Sequence, residues 1–235
     1  MKLLIIRHGD PDYERDALTK KGKREAALLS NRLCSEKIDA FYVSPLGRAR
    51  DTIQPTLEKL HRQAAVCNWL QEFSIHAEDP CTHERHVIWD YYPSFRADRL
   101  QWNDPDLWYR DELFAPLHVE LWLKDVWREL DRLLAQYGYA RDGSFYRTDR
   151  SFPRDQTIAF VCHFGIGSVL VARLLNISVQ TLLHSLFLAP TSVTTVVTEE
   201  REPGIAQWRC VSIGDLSHLY LEKEPMSRSG LFQEY

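Results

Sequence analysis

No stretch of this chain stays apolar for the roughly 20 consecutive residues that a bilayer-crossing helix requires. An excess of positive charge is missing as well: 29 Lys and Arg stand against 33 Asp and Glu, a formal net charge of −4. Neither nucleic acid nor a membrane is therefore an expected partner, and an anionic substrate would have to be held by a few local arginines. There is no Cys-x-x-Cys. The five cysteines, Cys34, Cys67, Cys81, Cys162 and Cys210, are scattered and odd in number, which fits reduced thiols in the cytoplasm. Internal repeats and low-complexity runs are absent too. The opening apolar run, Leu3 to Ile6, is too short for the core of a secretion signal and runs directly into Arg7 and Asp10.

What is present in the 235 residues suits one α/β domain carrying an inserted segment. Leu3-Leu4-Ile5-Ile6 reads as a buried strand of a parallel sheet. Thr19 can cap a helix running to about Leu33, with Ala26, Leu29 and Leu33 on one face. Ile38 to Val43 reads as a second strand. Ser44-Pro45 starts a helix to about Leu60, and Ala64 to Cys67 is a short third strand. Ile158 to Cys162 is a fourth strand followed by a helix over Ile166 to Leu175. Val193–Thr198 and Gln207–Ile213 read as late strands, antiparallel to each other. This alternation predicts a three-layer α/β/α sandwich around a mostly parallel sheet.

Between about residues 73 and 156 the pattern changes. Five of the seven tryptophans lie here: Trp89, Trp102, Trp108, Trp122 and Trp127. A long amphipathic helix is expected from Pro116 to Tyr137, with Leu117, Leu121, Leu130 and Leu134 on one face and Gly138 as its stop. Tyr139 to Asp155 reads as an exposed polar loop, and Glu222 to Tyr235 as a loosely held tail. The whole segment reads as a largely helical insertion beside the functional crevice.

In an open α/β sheet, ligands bind beyond the carboxyl ends of the strands. Arg7-His8-Gly9 sits at such an end. An imidazole can act as a nucleophile, and a neighbouring guanidinium can hold an oxyanion with its bidentate fork, so the pair suggests phosphate chemistry. Arg48 falls in the first turn of the helix after the second strand, and His163 at the end of the fourth strand. Each has a bland reading, as a solvated charge or a structural histidine. Their coincidence at one sheet edge is harder to dismiss.

Arg7-His8-Gly9, Leu18-Thr19-x-x-Gly22-x-x-Glu25-Ala26, Ser44-Pro45-Leu46-x-Arg48-Ala49 and the strand-end His163 together resemble the histidine phosphatase superfamily, in the branch of phosphoglycerate mutases and related phosphatases. Pro190-Thr191-Ser192-Val193-Thr194 and Gly214-Asp215-x-x-His218-Leu219 are weaker echoes. The resemblance covers residues 1–73 and 157–220 but not the insertion. It implies a metal-independent phosphomonoester hydrolase without a cofactor, working through a phosphohistidine on His8, with Arg7, Arg48 and His163 binding the phosphoryl oxygens. It also implies a carboxylic acid shortly after the third strand as proton donor. Glu72 fits best; Glu84, in His83-Glu84-Arg85-His86, is the main rival, with Glu78 and Asp79 less well placed.

Pro11 and Glu14 stand where many relatives carry a hydroxyl residue and an asparagine, so Pro11 removes a phosphate contact and Glu14 should turn away. Phe164 replaces the usual glycine after the second histidine and either narrows the pocket or packs behind it. Specificity for the small phosphorylated substrate should lie in the insertion. Its Trp89, Tyr91, Tyr92, Phe95, Arg96, Arg99 and Trp102 mix aromatic planes with cations, most of the aromatics serving as its own core. His76, His83 and His86 lack a compact ligand spacing, so no metal is expected. Cys162 reads as a small apolar filler. A phosphoglycerate mutase-like isomerase and a catalytically weak phospholigand-binding scaffold are the alternative functions. A homodimer is compatible with the sequence.

Overall fold

The computed structural model describes residues 1–231. Strand β1 (Lys2–Arg7) is buried on both faces, Leu3 and Ile5 on one side and Leu4 and Ile6 on the other, as the period of two requires of a strand inside a covered sheet. The short hairpin β2 (Pro11–Asp12) and β3 (Ala17–Leu18) leads to α1 (Lys20–Cys34). Thr19 caps α1, its Oγ1 accepting from the Gly22 amide at 3.0 Å, which satisfies one of the free amides of the first turn. β4 (Ala40–Val43), α2 (Gly47–Leu60) and β5 (Ala65–Val66) follow.

A separate hairpin, β6 (His76–Glu78) with β7 (Arg85–Val87), precedes the short α3 (Pro93–Ala97) and the long α4 (Val119–Ala135). Then come β8 (Tyr139–Asp142), β9 (Phe145–Thr148), β10 (Thr157–Cys162), α5 (Phe164–Leu175) and α6 (Val179–Ser185). The chain closes with β11 (Val193–Glu202), β12 (Ile205–Asp215) and α7 (Ser217–Leu221).

The main sheet has eight strands in the order β5-β4-β10-β1-β11-β12-β9-β8. β5, β4, β10 and β1 run parallel, and the sheet turns antiparallel from β11 outward. Leu29, Leu33, Ala49 and Ile53 of α1 and α2 pack on one face against Leu4, Ile6, Phe41 and Val43. Val169 and Leu170 of α5 and Val126 and Leu130 of α4 cover the other, with Leu3, Ile5 and Phe160. These are the three layers expected. No helix among the described residues is long and apolar enough to cross a membrane.

Three local expectations are corrected. Tyr139–Asp155 is not an exposed loop: β8 and β9 form a hairpin that extends the main sheet. Its polar residues face outward and pair across strands, Arg147 Nε to Asp142 at 2.9 Å. Tyr139 and Tyr146 point inward and are buried, each ring 5.9 Å from that of Trp208. The long helix starts at Val119, after a tight turn over Ala115–Leu117. Its buried stripe is Val119, Leu123, Val126, Leu130 and Leu134; Leu121, about half a turn out of phase with Leu130, lies exposed. The tail, read as loose from Glu222 to Tyr235, is anchored at Glu224, Ser227 and Ser229; residues 232–235 lie outside the described residues.

Candidate active site

The parallel register sets Arg7 opposite Cys162, so the residues after each, His8 and His163, leave the sheet side by side. The His8 amide donates to the Cys162 carbonyl at 2.9 Å, and the two imidazole centroids are 5.0 Å apart. Both histidines are buried. The backbone of Arg7 and His8 is held from the other side by the segment that opens β11. The Ser192 carbonyl accepts from Arg7 N at 3.2 Å, and the Thr191 amide reaches the carbonyls of both Arg7 and His8 at 3.1 Å. Thr191 has φ +60°, a region that β-branched residues rarely enter.

His8 Nδ1 lies 2.7 Å from the Gly9 carbonyl. A carbonyl only accepts, so this network assigns the proton to Nδ1 and the lone pair to Nε2. Gly9 is in turn fixed by donation to Thr52 Oγ1 at 2.9 Å. Burial, then the charge of Arg7 and more weakly that of Arg48, push the His8 imidazole down to about 3, against the opposing Gly9 bond. The ring is therefore neutral at ordinary pH. Burial, with His8, Arg48 and Arg7, holds His163 lower still, at about 2. His163 Nε2 lies 2.7 Å from Ser44 Oγ. With the Ser44 hydroxyl donating there, the ring proton sits on Nδ1, a buried atom that has no hydrogen-bond partner.

The two arginines are held differently, Arg7 by carbonyls and Arg48 by a carboxylate, and burial pushes the Arg7 guanidinium below its usual range. Arg7 Nη1 donates to the Leu188 carbonyl at 2.6 Å and Nη2 to the Ser229 carbonyl at 3.0 Å, while its buried Nε has no partner. Phe164 and Phe187 each place a ring centroid 6.0 Å from the guanidinium. Arg48 Nη1 pairs with Asp16 Oδ1 at 2.6 Å, and Asp16 Oδ2 accepts from the Gly47 amide at 2.6 Å. Burial opposes ionisation of Asp16, but the Gly47 amide and Arg48 outweigh it and hold the carboxyl below its usual range. Arg48 Nε is buried and partnerless as well, and the Tyr13 ring sits 5.4 Å from this guanidinium and 6.5 Å from the His8 ring.

Of the candidate acids, the structure brings Glu72 to this edge. Its Oε1 accepts from Phe73 N at 2.8 Å and from Ile166 N at 3.1 Å, the latter in the first turn of the helix that follows His163. A Cβ on Gly165 would fall 2.8 Å from the same oxygen, so the carboxylate reaches this position only past a glycine. Burial raises the Glu72 pKa, opposed by the two amides and by Arg7 and Arg48. Glu84 lies exposed in the β6–β7 turn, where its backbone bonds to Asp79 and its amide donates to Thr82. Glu78 is exposed and pairs with His83 at 3.2 Å, while buried Asp79 accepts from the Cys81 amide and from His86.

Phe164 is half-buried between Arg7 and Trp89, the two rings edge to face at 5.7 Å, so it walls the site. Trp89 lies against Gly165, next to Glu72. Tyr91 and Trp102 are buried in the insertion, and Tyr92 is exposed. Arg99 stacks on Phe95 at 4.4 Å and pairs with buried Asp111 at 2.9 Å, which commits it to the fold. Among the described residues no group of three His, Cys, Asp or Glu side chains is placed to hold a metal. Cys162 is fully buried, and burial drives its thiol pKa far up. Pro11 lies in the β2–β3 hairpin and Glu14 is exposed at its tip.

Sequence reasoning missed Tyr13, Asp16, the role of Ser44 toward His163, and the carbonyls of Leu188 and Ser229. Tyr13 and Asp16 lie within eight residues of His8, so proximity to the motif is the signal that points to them. A backbone carbonyl leaves no trace in residue identity.

No curated protein sequence matches the chain. Among solved structures, a mutant phosphoserine phosphatase from Entamoeba histolytica in complex with phosphoserine is similar in fold, with 20% identity, TM-score 0.61, and coverage of 93% of this chain and 98% of that one. A mycobacterial glucosyl-3-phosphoglycerate phosphatase in complex with VO3 is similar at 20% identity and TM-score 0.55, over 90% of this chain and 97% of that one. The family model of the histidine phosphatase superfamily (branch 1) matches residues 3–115, a span that holds Arg7, His8, Arg48 and Glu72. By that match over 3–115, set in a fold shared with these phosphatases, the chain resembles the histidine phosphatase superfamily, branch 1.

Proposed function

We propose that this chain hydrolyses a phosphomonoester of a small molecule, without a metal, through a phosphohistidine on His8. One observation carries the reading. Three buried nitrogens around His8 have no partner in the protein: the N–H groups of Arg7 Nε and Arg48 Nε, and His163 Nδ1, which carries a proton when Ser44 donates to Nε2. Buried donors left unpaired are rare and costly. A phosphoryl group presents oxygens to such donors, and its charge matches the two guanidinium groups beside it.

In this reading the His8 Nε2 lone pair attacks phosphorus in line with the ester oxygen. The P–N bond forms as the P–O bond breaks. Arg7, Arg48 and His163 hold the non-bridging oxygens as charge spreads over them. Glu72, kept protonated to higher pH by its burial, gives its proton to the leaving alkoxide. As a carboxylate it then takes a proton from water, which attacks phosphorus and breaks the P–N bond. Inorganic phosphate leaves, with His8 neutral and Glu72 protonated again. Segment 73–156 forms the cover that selects the leaving group, with Trp89 beside Phe164 as its nearest wall. The five cysteines are all free, in keeping with work in the cytoplasm.

The test is hydrolysis of a generic aryl phosphate, with and without chelator, by the wild type and His8→Ala. Chelator-resistant turnover that disappears in His8→Ala is the expected result. Turnover that survives the substitution sinks the mechanism, and turnover that needs a divalent metal sinks its metal-free form.

A further inference from the structure

Behind the proposed phosphate site runs the end of the described chain, tied down at successive points. Glu224 grips the start of α1, 3.2 Å from Lys21 Nζ and 3.1 Å from Arg24 Nη2. Ser227 is buried; its hydroxyl donates to Asp10 Oδ1 and accepts from the Ser229 amide at 3.1 Å. Asp10, two residues beyond His8, is itself held by Thr19 Oγ1 at 2.6 Å. The turn fixed in this way presents the Ser229 carbonyl to Arg7 Nη2 at 3.0 Å. Gly230 follows at φ +94°, so close that a Cβ there would lie 3.3 Å from the same nitrogen.

Arginine has high rotamer freedom, and a phosphate-binding guanidinium works best when its plane is set in advance. Here two neutral carbonyls, Leu188 at Nη1 and Ser229 at Nη2, hold the two ends of the fork. A carboxylate in either place would orient the group but cancel its charge. The carbonyls orient it and leave the charge and the Nε–H for a ligand.

We infer that Met226–Gly230 is a positioning strap for Arg7: Ser227 anchors the segment to Asp10, and the Ser229 carbonyl sets the guanidinium for an incoming phosphoryl oxygen. The inference rests on the proposed role of Arg7 in holding that group. It makes oxyanion affinity depend on residues near the end of the chain that touch no substrate.

The experiment is calorimetric titration with orthovanadate and with inorganic phosphate, alongside urea unfolding. The proteins are the wild type, a chain ending at Glu224, Ser227→Ala, Gly230→Val, Arg7→Lys, and Arg7→Lys combined with Ser227→Ala. Truncation, Ser227→Ala and Gly230→Val should each weaken vanadate binding by about tenfold, the size expected for one charge-assisted hydrogen bond set loose. In the Arg7→Lys background, Ser227→Ala should change nothing further, because the strap acts through the guanidinium; a purely structural role would give the same loss in both backgrounds and overturns the inference. Unchanged affinity on truncation also overturns it, and so does tighter binding, which would make the segment a competitor of the anion. Vanadate binding without turnover in the wild type would strike the proposed hydrolysis alone, with the strap still decided by the variants. No binding of either anion would overturn both.

Discussion

Two regions of this molecule bury charge in opposite ways. In the insertion, Arg99 meets Asp111 at 2.9 Å, and that carboxylate also accepts from Trp102 Nε1 and Gln101 Nε2, each at 2.9 Å. In the β6–β7 hairpin His86 likewise faces an acid, the buried Asp79 at 3.2 Å. At the strand ends, His8 and His163 lie next to cations, and Arg7 is held by carbonyls alone. A matched charge is finished business for a fold, whereas uncompensated positive charge around a neutral imidazole is poised for an anion that arrives later. Asp16 marks the limit of the contrast: it pairs with Arg48, yet leaves the buried Nε of that residue partnerless.

Substitutions can break this comparison at several points. The largest effect is expected of His8→Ala, a loss in kcat on the order of 10⁴-fold or more with the circular dichroism spectrum kept; a nearly active variant would make the strand-end site an ordinary structural cluster. Glu72→Gln should lower kcat by about 10²- to 10⁴-fold on an alkyl phosphate and by much less on a nitrophenyl phosphate, whose leaving group needs little protonation. Equal losses on both would remove Glu72 as the proton donor, and the same comparison with Glu84→Gln should show no loss on either. Asp111→Ala, by stranding Arg99, should cost about 3 kcal/mol in urea unfolding. Arg7→Ala should cost little stability while weakening vanadate binding. If the two stability effects proved alike, the division between fold charge and site charge would fail.

A smaller effect comes from pH. The folded-state pKa values of His8 and His163 lie far below the unfolded value near 6.5, as do those of His184 and His218, each at about 4. Between about 6.5 and these folded values the histidines of the unfolded chain bind more protons, so their contribution lowers stability as the pH drops through that window. Removing one such proton site, as in His163→Gln, should flatten the slope by up to about 1.4 kcal/mol per pH unit. Urea midpoints at pH 7 and pH 5 check this; a wild-type midpoint that does not move would contradict the neutral, buried histidines.

The sequence is legible where chemistry and local structure share a few consecutive residues. Arg7-His8-Gly9 stands on an apolar strand, Arg48 in the first turn of a helix after another, and His163 at the end of a further apolar strand, so the sheet brings together what each motif announces alone. The three layers follow from the same alternation. Legibility fails where the signal is not local. The β8–β9 hairpin carries so many Arg and Asp residues that only the inward Tyr139 and Tyr146 betray it. Leu121 cannot share the buried face of its helix with Leu130 and Leu134, because at 3.6 residues per turn it lies about half a turn out of phase with Leu130. The grip on Arg7 comes from the carbonyls of Leu188 and Ser229, 181 and 222 residues further along the chain, and a carbonyl is the same in every residue.

The most direct measurement is to quench the enzyme in alkali during turnover of an aryl phosphate and map the modified residue by mass spectrometry. The account predicts one phosphoryl group on His8, stable in alkali, lost in mild acid, and absent in His8→Ala. Turnover with no trapped group, or with the group on another side chain, would contradict it.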